Sequence, residues 1–371
     1  MTIQPTTSLY DLTLAELEAG LVERGQPKYR AKQIFDWAYN HLVEDYEAMS
    51  NLPTALRALL AEELPFIPYT NVREVTITEA EGETVKTLFR TPDERHVEAV
   101  LMFYPDRVTA CISCQIGCPI RCTFCATGLG GLERNLSAGE MVAQVVALAR
   151  RAKAAGRTLT NIVMMGMGEP LYNFDEVKGA LKIVMDGDGL ALSKRRITLS
   201  TSGVVPMMAR AGEEIGVNLA VSLHAVSKEV RDEIVPLNRK YGIEELLQAC
   251  ADYPGANNAR RITFEYVMLK DKNDSDADAR ELVRLIKHYG LPAKVNLIPF
   301  NPWPGAPYEC SSPERVRAFS SLIFKAGISA PVRTPRGRDI MAACGQLKSA
   351  ATKPTRAELD RIAEEKQAAL G

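Results

Sequence analysis

The feature that most restricts what this chain can fold into is an alternation that begins near residue 107. Short β-branched runs give way to amphipathic helical patterns, and the exchange repeats six times. The strands are read at 107–112, 161–165, 196–199, 217–223, 262–269 and 294–298. The helices follow at 138–155, 174–185, 204–215, 243–251, 276–289 and 314–326. Ser137 and Glu140 form a capping box that opens the first of them. Repeated strand–helix units predict a parallel sheet covered by helices, curved into a partial (β/α)6 barrel of the α/β class. In that architecture the loops after the strands carry function.

The segments before the barrel differ in character. Leu9, Leu12, Leu14, Leu17 and Leu21 recur at near-helical spacing, and further helices fit 30–42 and 52–64. They predict an N-terminal helical accessory domain over 1–68. Its basic run, Lys28, Tyr29, Arg30 and Lys32, reads equally as a phosphate contact and as a solvated helix start. Runs at 72–77, 84–90 and 96–103, separated by turn residues, predict a small β extension over 69–106. The barrel is expected over 107–348, with a charged helical tail over 349–371.

Lys+Arg is 45 and Asp+Glu is 46, a formal charge of −1, which excludes a uniformly basic nucleic-acid coat but not local basic patches. Three clusters stand out: Lys194-Arg195-Arg196, Arg260-Arg261, and Arg333 with Arg336 and Arg338. No run of apolar residues reaches membrane-spanning length, and the first residues lack a secretory pattern. The expected setting is the cytoplasm, where thiols stay reduced.

Eight cysteines occur, and five of them (111, 114, 118, 122 and 125) fall within fifteen residues just after the first barrel strand. In a reducing compartment such crowding points to metal or redox chemistry. Cys250 and Cys310 stand alone and read as packed small residues. Only 118/122/125 satisfies C-x3-C-x2-C, because Gln115 and Arg121 fill the needed positions in the other frames. A chance match from any one cysteine is about one in two thousand, so the spacing carries weight. Three thiolates on one loop can hold three corners of a 4Fe–4S cubane and leave one iron open. The competing reading is zinc, with Cys111-x2-Cys114 supplying a pair.

The triplet, with Phe124 before its last cysteine, resembles the radical S-adenosylmethionine (SAM) superfamily. The resemblance extends to Gly166-Met-Gly168-Glu169-Pro170 after the second strand, Ser200-Thr-Ser-Gly203 after the third, Ser222-Leu223-His224 after the fourth, and Asn301 after the sixth. It implies that Cys118, Cys122 and Cys125 bind the cluster. It also implies that Gly168, Glu169, Ser200, Ser222, Leu223, His224 and Asn301 bind SAM, with Glu169 toward its amino group. Adding Glu98 in His96-Val-Glu-Ala-Val, Cys111, the segment Arg333–Leu347 around Cys344, and Lys28-Tyr-Arg-Ala-Lys-Gln-Ile-Phe-Asp-Trp37, the chain resembles the RlmN/Cfr family of RNA adenine methyltransferases.

That resemblance implies a methyl carried on Cys344, proton removal by Glu98, and a transient disulfide from Cys111 to Cys344. It implies two SAM per turnover and a covalent protein–RNA adduct. The expected targets are C2 of adenosine at position 2503 of 23S rRNA and position 37 of tRNAs. A flavodoxin- or ferredoxin-class reductant and a monomer are also expected. Arg336 and Arg338 are expected to favour the Cys344 thiolate. Cys114 departs from the serine usual in the family and is assigned no role. Three alternatives stay open: C8 methylation on the same scaffold, a radical enzyme acting on a small molecule, and a non-catalytic zinc-containing RNA-binding protein.

Overall fold

The computed structural model describes residues 8–66 and 69–348. The tail expected over 349–371 lies outside the described residues, as do 67–68 at the end of the helical domain.

The N-terminal helices are α1 (Leu14–Glu23), α2 (Tyr29–Phe35) and α3 (Thr54–Glu63). Thr13 and Glu16 cap α1 reciprocally. The helix expected over 30–42 is α2 continued by a wider π-helical stretch, Asp36–His41, that ends at left-handed Leu42. Leu17, Leu21, Ile34, Phe35, Leu56 and Leu60 are buried among these helices. The unit is fastened to the barrel through α4 (Ala138–Ala154). The Asp11 carboxylate accepts the Gly139 N–H at 2.6 Å and the Ser137 hydroxyl at 3.0 Å, at the positive end of that helix. A Cβ at Gly139 would lie 2.5 Å from the same Asp11 oxygen.

The strands are β1 (Thr70–Glu79), β2 (Gly82–Arg90), β3 (His96–Phe103), β4 (Val108–Cys111), β5 (Gln115–Gly117), β6 (Leu132–Asn135), β7 (Asn161–Met164), β8 (Ile197–Thr201), β9 (Asn218–Ser222), β10 (Ile262–Met268) and β11 (Ala293–Pro299). Nine of them form one sheet in the order β1-β2-β3-β4-β7-β8-β9-β10-β11. The first four pair antiparallel, and β4 through β11 pair parallel. The β extension is therefore continuous with the barrel sheet rather than a separate layer.

The helices that cover the parallel part are α4, α5 (Phe174–Met185), α6 (Val205–Arg210, continued as a π-helical turn to Ile215), α7 (Lys228–Ile234), α8 (Ile243–Ala251), α9 (Asp276–His288) and α10 (Pro313–Lys325). The inner and outer faces separate along β11, where Val295 and Leu297 are fully buried while Asn296 and Ile298 on the other face are only half-buried. Parallel pairing leaves the strand C-termini at one end, and the sequence-predicted site residues cluster there.

Past β11 the chain makes one more parallel contact, with bridges Lys294–Ser329 and Leu297–Val332. The segment 333–348 then crosses the open side of the partial barrel and is tied to β1, β2 and β3. Arg336 bonds Thr84 Oγ1 at 3.1 Å and the carbonyls of Glu83 and Phe103, and pairs with Glu79. Lys86 donates to the Met341 carbonyl at 3.3 Å, and the Lys348 N–H donates to Glu98 at 2.8 Å.

Candidate active site

The cysteine triplet occupies the connection between β5 and β6, a small antiparallel hairpin pairing Gln115 with Asn135 and Ile116 with Arg134. Arg134 spans Asp93 and Glu140, fixing the hairpin to the β2–β3 turn and to the start of α4. Within the loop, Cys118 N–H reaches Gly131 O at 2.8 Å, Cys125 N–H reaches Cys122 O at 3.1 Å, and Ala126 N–H reaches Gly345 O at 2.7 Å. Cys118, Cys122 and Cys125 all line one cavity.

Burial pushes the Cys118 thiol up to about 12, and it raises Cys122 and Cys125 too. Burial disfavours bare thiolates here, and bound metal would offset that cost. Among the described residues no three His, Cys, Asp or Glu side chains are gathered as a single ion would require. A cubane takes each thiolate at a different iron, so three cysteines lining one cavity suit it.

The strand ends line the same cavity. Gly168, at φ 106°, brings its backbone against Gln115 and Cys114, where a Cβ would lie 2.8 Å from the Cys114 sulfur. Cys114 itself is buried behind this wall, 3.6 Å from the Met167 carbonyl, and does not line the cavity. Glu169 is buried and accepts from Ser202 N–H at 2.7 Å and from Leu171 N–H at 3.1 Å. Burial raises its pKa, and these donors oppose the rise.

Ser200, Ser222, His224 and Asn301 line the same cavity. Leu223 does not; its side chain is buried and its N–H is spent on the carbonyls of Val221 and Glu265. His224, at φ 59°, accepts the Val267 N–H at Nδ1 (3.1 Å) and meets Phe124 edge-on at 4.7 Å. Burial, then the charge of Arg231, depress its pKa to about 3. The ring is neutral, and with Nδ1 accepting, Nε2 carries the proton and is a donor. Asn301 bonds the Cys344 carbonyl at 3.2 Å through its amide nitrogen and takes Arg338 at its oxygen (3.1 Å), so it steadies the cysteine segment as well as facing the cavity.

A second cavity adjoins the first, sharing part of its lining. Cys111 lines only the second, while Cys125, Arg333 and Cys344 line both. Burial pushes the Cys111 thiol up to about 12, and the nearby Cys344 adds to the effect. Cys344 is exposed. Glu98 lines neither cavity. It lies on the same face of β3 as Val100 and Met102, which line the second. Its carboxylate is engaged by Lys86 at 3.0 Å and by the Lys348 N–H. Burial raises its pKa, and Lys86 opposes the rise.

Several expectations need correction. Arg336 and Arg338 spend their hydrogen bonds away from Cys344: the first on the β1–β2 hairpin and the Phe103 carbonyl, the second on Asn301 and the Phe300 carbonyl. The cation shared by Cys344 and Cys111 is Arg333, which also approaches Glu265 at 3.4 Å. Cys250 is buried as expected, but Cys310 is only half-buried. Lys194–Arg196 and Arg260–Arg261 precede β8 and β10, at the end of the sheet opposite the cavities. In the helical domain Lys32 pairs with Asp188 at 3.1 Å, while Lys28 and Tyr29 stay exposed.

Further groups join these at the site. Glu265 lines the first cavity, held at 2.9 Å by Asn296. Arg333 bridges the cavities. Arg231, fully buried on α7, bonds the carbonyls of Leu223 (3.0 Å), Ser202 (2.8 Å) and Ser222 (3.3 Å), tying together the ends of β8 and β9. A Lys-Glu-Val-Arg-Asp-Glu-Ile helix reads as solvated surface, so nothing in the pattern marks its arginine as internal.

No helix among the described residues is long and apolar enough to cross a membrane.

Known proteins agree with this geometry. Residues 112–292 match the radical SAM superfamily, and residues 7–65 match the ribosomal RNA large subunit methyltransferase N-terminal domain. A dual-specificity RNA methyltransferase RlmN of Sphingopyxis alaskensis is 68% identical, with 96% of this chain and 91% of that protein aligned. Its counterpart in Rhizorhabdus wittichii is 67% identical over 97% of this chain and 90% of its own length. The crystal structure of a radical SAM methyltransferase from Sphaerobacter thermophilus superposes with a TM-score of 0.88 at 57% identity, covering 92% of this chain and 99% of that one. The three cluster-type cysteines, the polar strand ends that line their cavity and these relatives together establish that the chain belongs to the radical SAM superfamily and, within it, to the dual-specificity RNA methyltransferase RlmN family.

Proposed function

We propose that this protein methylates C2 of adenosine in RNA, at position 2503 of 23S rRNA and position 37 of tRNAs, using Cys344 as the methyl carrier. The observation that carries the reading is that Cys344 stands in the wall common to both cavities. One side faces the cluster cysteines and the SAM-type strand ends; the other faces Cys111.

Cys118, Cys122 and Cys125 hold a 4Fe–4S cluster, and Gly168, Glu169, Ser200, Ser222, His224 and Asn301 hold SAM beside it. Leu223 supports that rim by its backbone. When bound, the cluster and SAM supply, by one-electron cleavage of the sulfonium, the carbon radical that removes a hydrogen atom from a methyl on Cys344. An sp2 C2–H has little nucleophilicity, so addition of a carbon radical suits it better than polar displacement. Cys344 first accepts the methyl from one SAM, with Arg333 facing its sulfur. A second SAM serves the radical step, which makes two per turnover.

The methylene on Cys344 then joins C2 of an adenine in the second cavity, linking protein and RNA covalently, and the unpaired electron left on the base would pass back to the cluster, which supplied one electron at the outset. The base must leave its stack to enter. Glu98 takes the C2 proton, which requires its carboxylate to shed the Lys348 N–H. Cys111 then attacks the Cys344 sulfur. An S–S bond forms as the S–C bond breaks, and the electron pair leaves with carbon, which takes a proton to complete the methyl. A flavodoxin- or ferredoxin-class donor in the cytoplasm supplies electrons, and the protein acts as a monomer.

Anaerobic reconstitution followed by mass spectrometry of RNA and of the Cys344 peptide tests this. Cys111→Ala is expected to accumulate a covalent protein–RNA complex, and Cys344→Ala to give no methylated RNA. Methylation by Cys344→Ala would overturn the carrier assignment.

A further inference from the structure

Lys86 on β2 and Glu98 on β3 lie diagonally across one face of the antiparallel pair, since Lys86 registers with Val100 and Leu88 with Glu98. Their ion pair, 3.0 Å long, is buried at Glu98 and mostly covered at Lys86. Such a pair is an uncertain contributor to stability, because desolvation offsets the attraction. Its further contacts give it another purpose. The Lys86 ammonium also donates to the Met341 carbonyl at 3.3 Å, and the second Glu98 oxygen accepts the Lys348 N–H at 2.8 Å. One ion pair thus grips both ends of the stretch Met341–Lys348, with Cys344 between them. Met341 is held at φ 56°, a left-handed conformation a long side chain adopts only when its surroundings impose it.

We propose that Lys86 is a positioning residue for methyl transfer: by bridging the Glu98 carboxylate to the Met341 carbonyl, it latches the carrier segment onto the β extension and keeps the base covered until that segment lifts. The inference rests on the roles given above to Glu98 and Cys344. It adds that release of the carrier and exposure of the base are one event. While the latch is shut, both Glu98 oxygens are occupied. When Met341–Lys348 lifts, the Lys348 N–H leaves with it, and a free oxygen turns toward the face that carries Val100 and Met102.

The test is hydrogen exchange by mass spectrometry on the full-length, cluster-loaded protein, following peptides over 342–348 and, as controls, over β7 and β10. Lys86→Met is expected to speed exchange in 342–348 by about tenfold, leaving the controls unchanged. Lys86→Arg is expected to stay nearer the parent. Glu98→Gln keeps the shape, removes the charge pairing, and is expected to loosen the same peptides; it decides the matter should Lys86→Met not fold. Parent-like exchange in the folded variants overturns the latch, and so does acceleration spread across the whole sheet. RNA methylation is read in parallel. Faster exchange with methylation intact in Glu98→Gln refutes the base role and leaves the latch standing. Lost methylation with parent-like exchange refutes the latch and leaves the base role standing.

Discussion

Replacing His224 by Asn isolates the cost of keeping an imidazole neutral inside the barrel mouth. Asn tolerates the left-handed backbone at this position (φ 59°) and can still accept from the Val267 N–H. In the folded protein, burial and then Arg231 depress the pKa from 6.5 to about 3. Between those values the unfolded chain binds a proton that the folded one refuses. Stability is therefore complete above the unfolded pKa and drains away as the pH falls through the window toward 3. At about pH 5 the unfolded side chain lies roughly 1.5 pK units below its midpoint. At about 1.4 kcal/mol per unit, that costs the fold about 2 kcal/mol relative to neutral pH.

The assay is urea unfolding of parent and His224→Asn at about pH 7 and about pH 5, comparing the change within each protein. Other carboxylates titrate in both and cancel in the difference. The variant is expected to lose about 2 kcal/mol less than the parent on acidification. Parallel losses would refute the argument, because they would mean that His224 takes up its proton without leaving its site.

Arg231→Met should cost about 3–5 kcal/mol in the same assay, because it strands the buried carbonyls of Leu223, Ser202 and Ser222. Equilibrium dialysis of SAM should show weakened binding as the ends of β8 and β9 loosen. Gly139→Ala should push Asp11 off the start of α4, since the new methyl would lie 2.5 Å from its oxygen. About 1–2 kcal/mol of stability should go with the lost anion–dipole contact, and limited proteolysis between 42 and 69 should quicken. Cys114→Ser should leave the iron content of anaerobically purified protein unchanged, because its sulfur lies behind Gly168 and outside the cavity.

Where local chemistry decides structure, the sequence was a sufficient guide. A run bounded by turn residues placed β3 at His96–Phe103, and amphipathic patterning between strands placed α5 at Phe174–Met185 and α8 at Ile243–Ala251, all with the expected ends. The Ser137–Glu140 capping box starts α4 as read. The hairpin β5–β6 escaped notice because each strand is too short for a period and a long cysteine-bearing loop separates them. Helix α7 was missed because its charged composition gives no apolar stripe.

The site divides along the same line. Thiols at fixed spacing and small polar residues at strand ends are local signals, and the structure gathers most of them around one cavity. Arg231 and Glu265 are charged residues whose burial depends on partners far away in the chain, such as Ser202 for Arg231. Pattern alone assigns such residues to the surface. The same nonlocal dependence misdirected the reading of Arg336, whose guanidinium ends up beside residues 79–84 and Phe103.

Because the β extension and the barrel share one continuous sheet, Val100 stands opposite Cys111 and the Ser113 hydroxyl is bonded to the Glu98 carbonyl. Glu98 and Cys111 are thus spaced by the lattice of main-chain bonds, which flexes far less than side chains do. A single residue inserted within β3 beyond Glu98 would rotate that carboxylate to the opposite face without disturbing either cysteine. The spacing of Glu98 from Cys111 therefore depends on the parity of the residues on either side of the turn at 104–107.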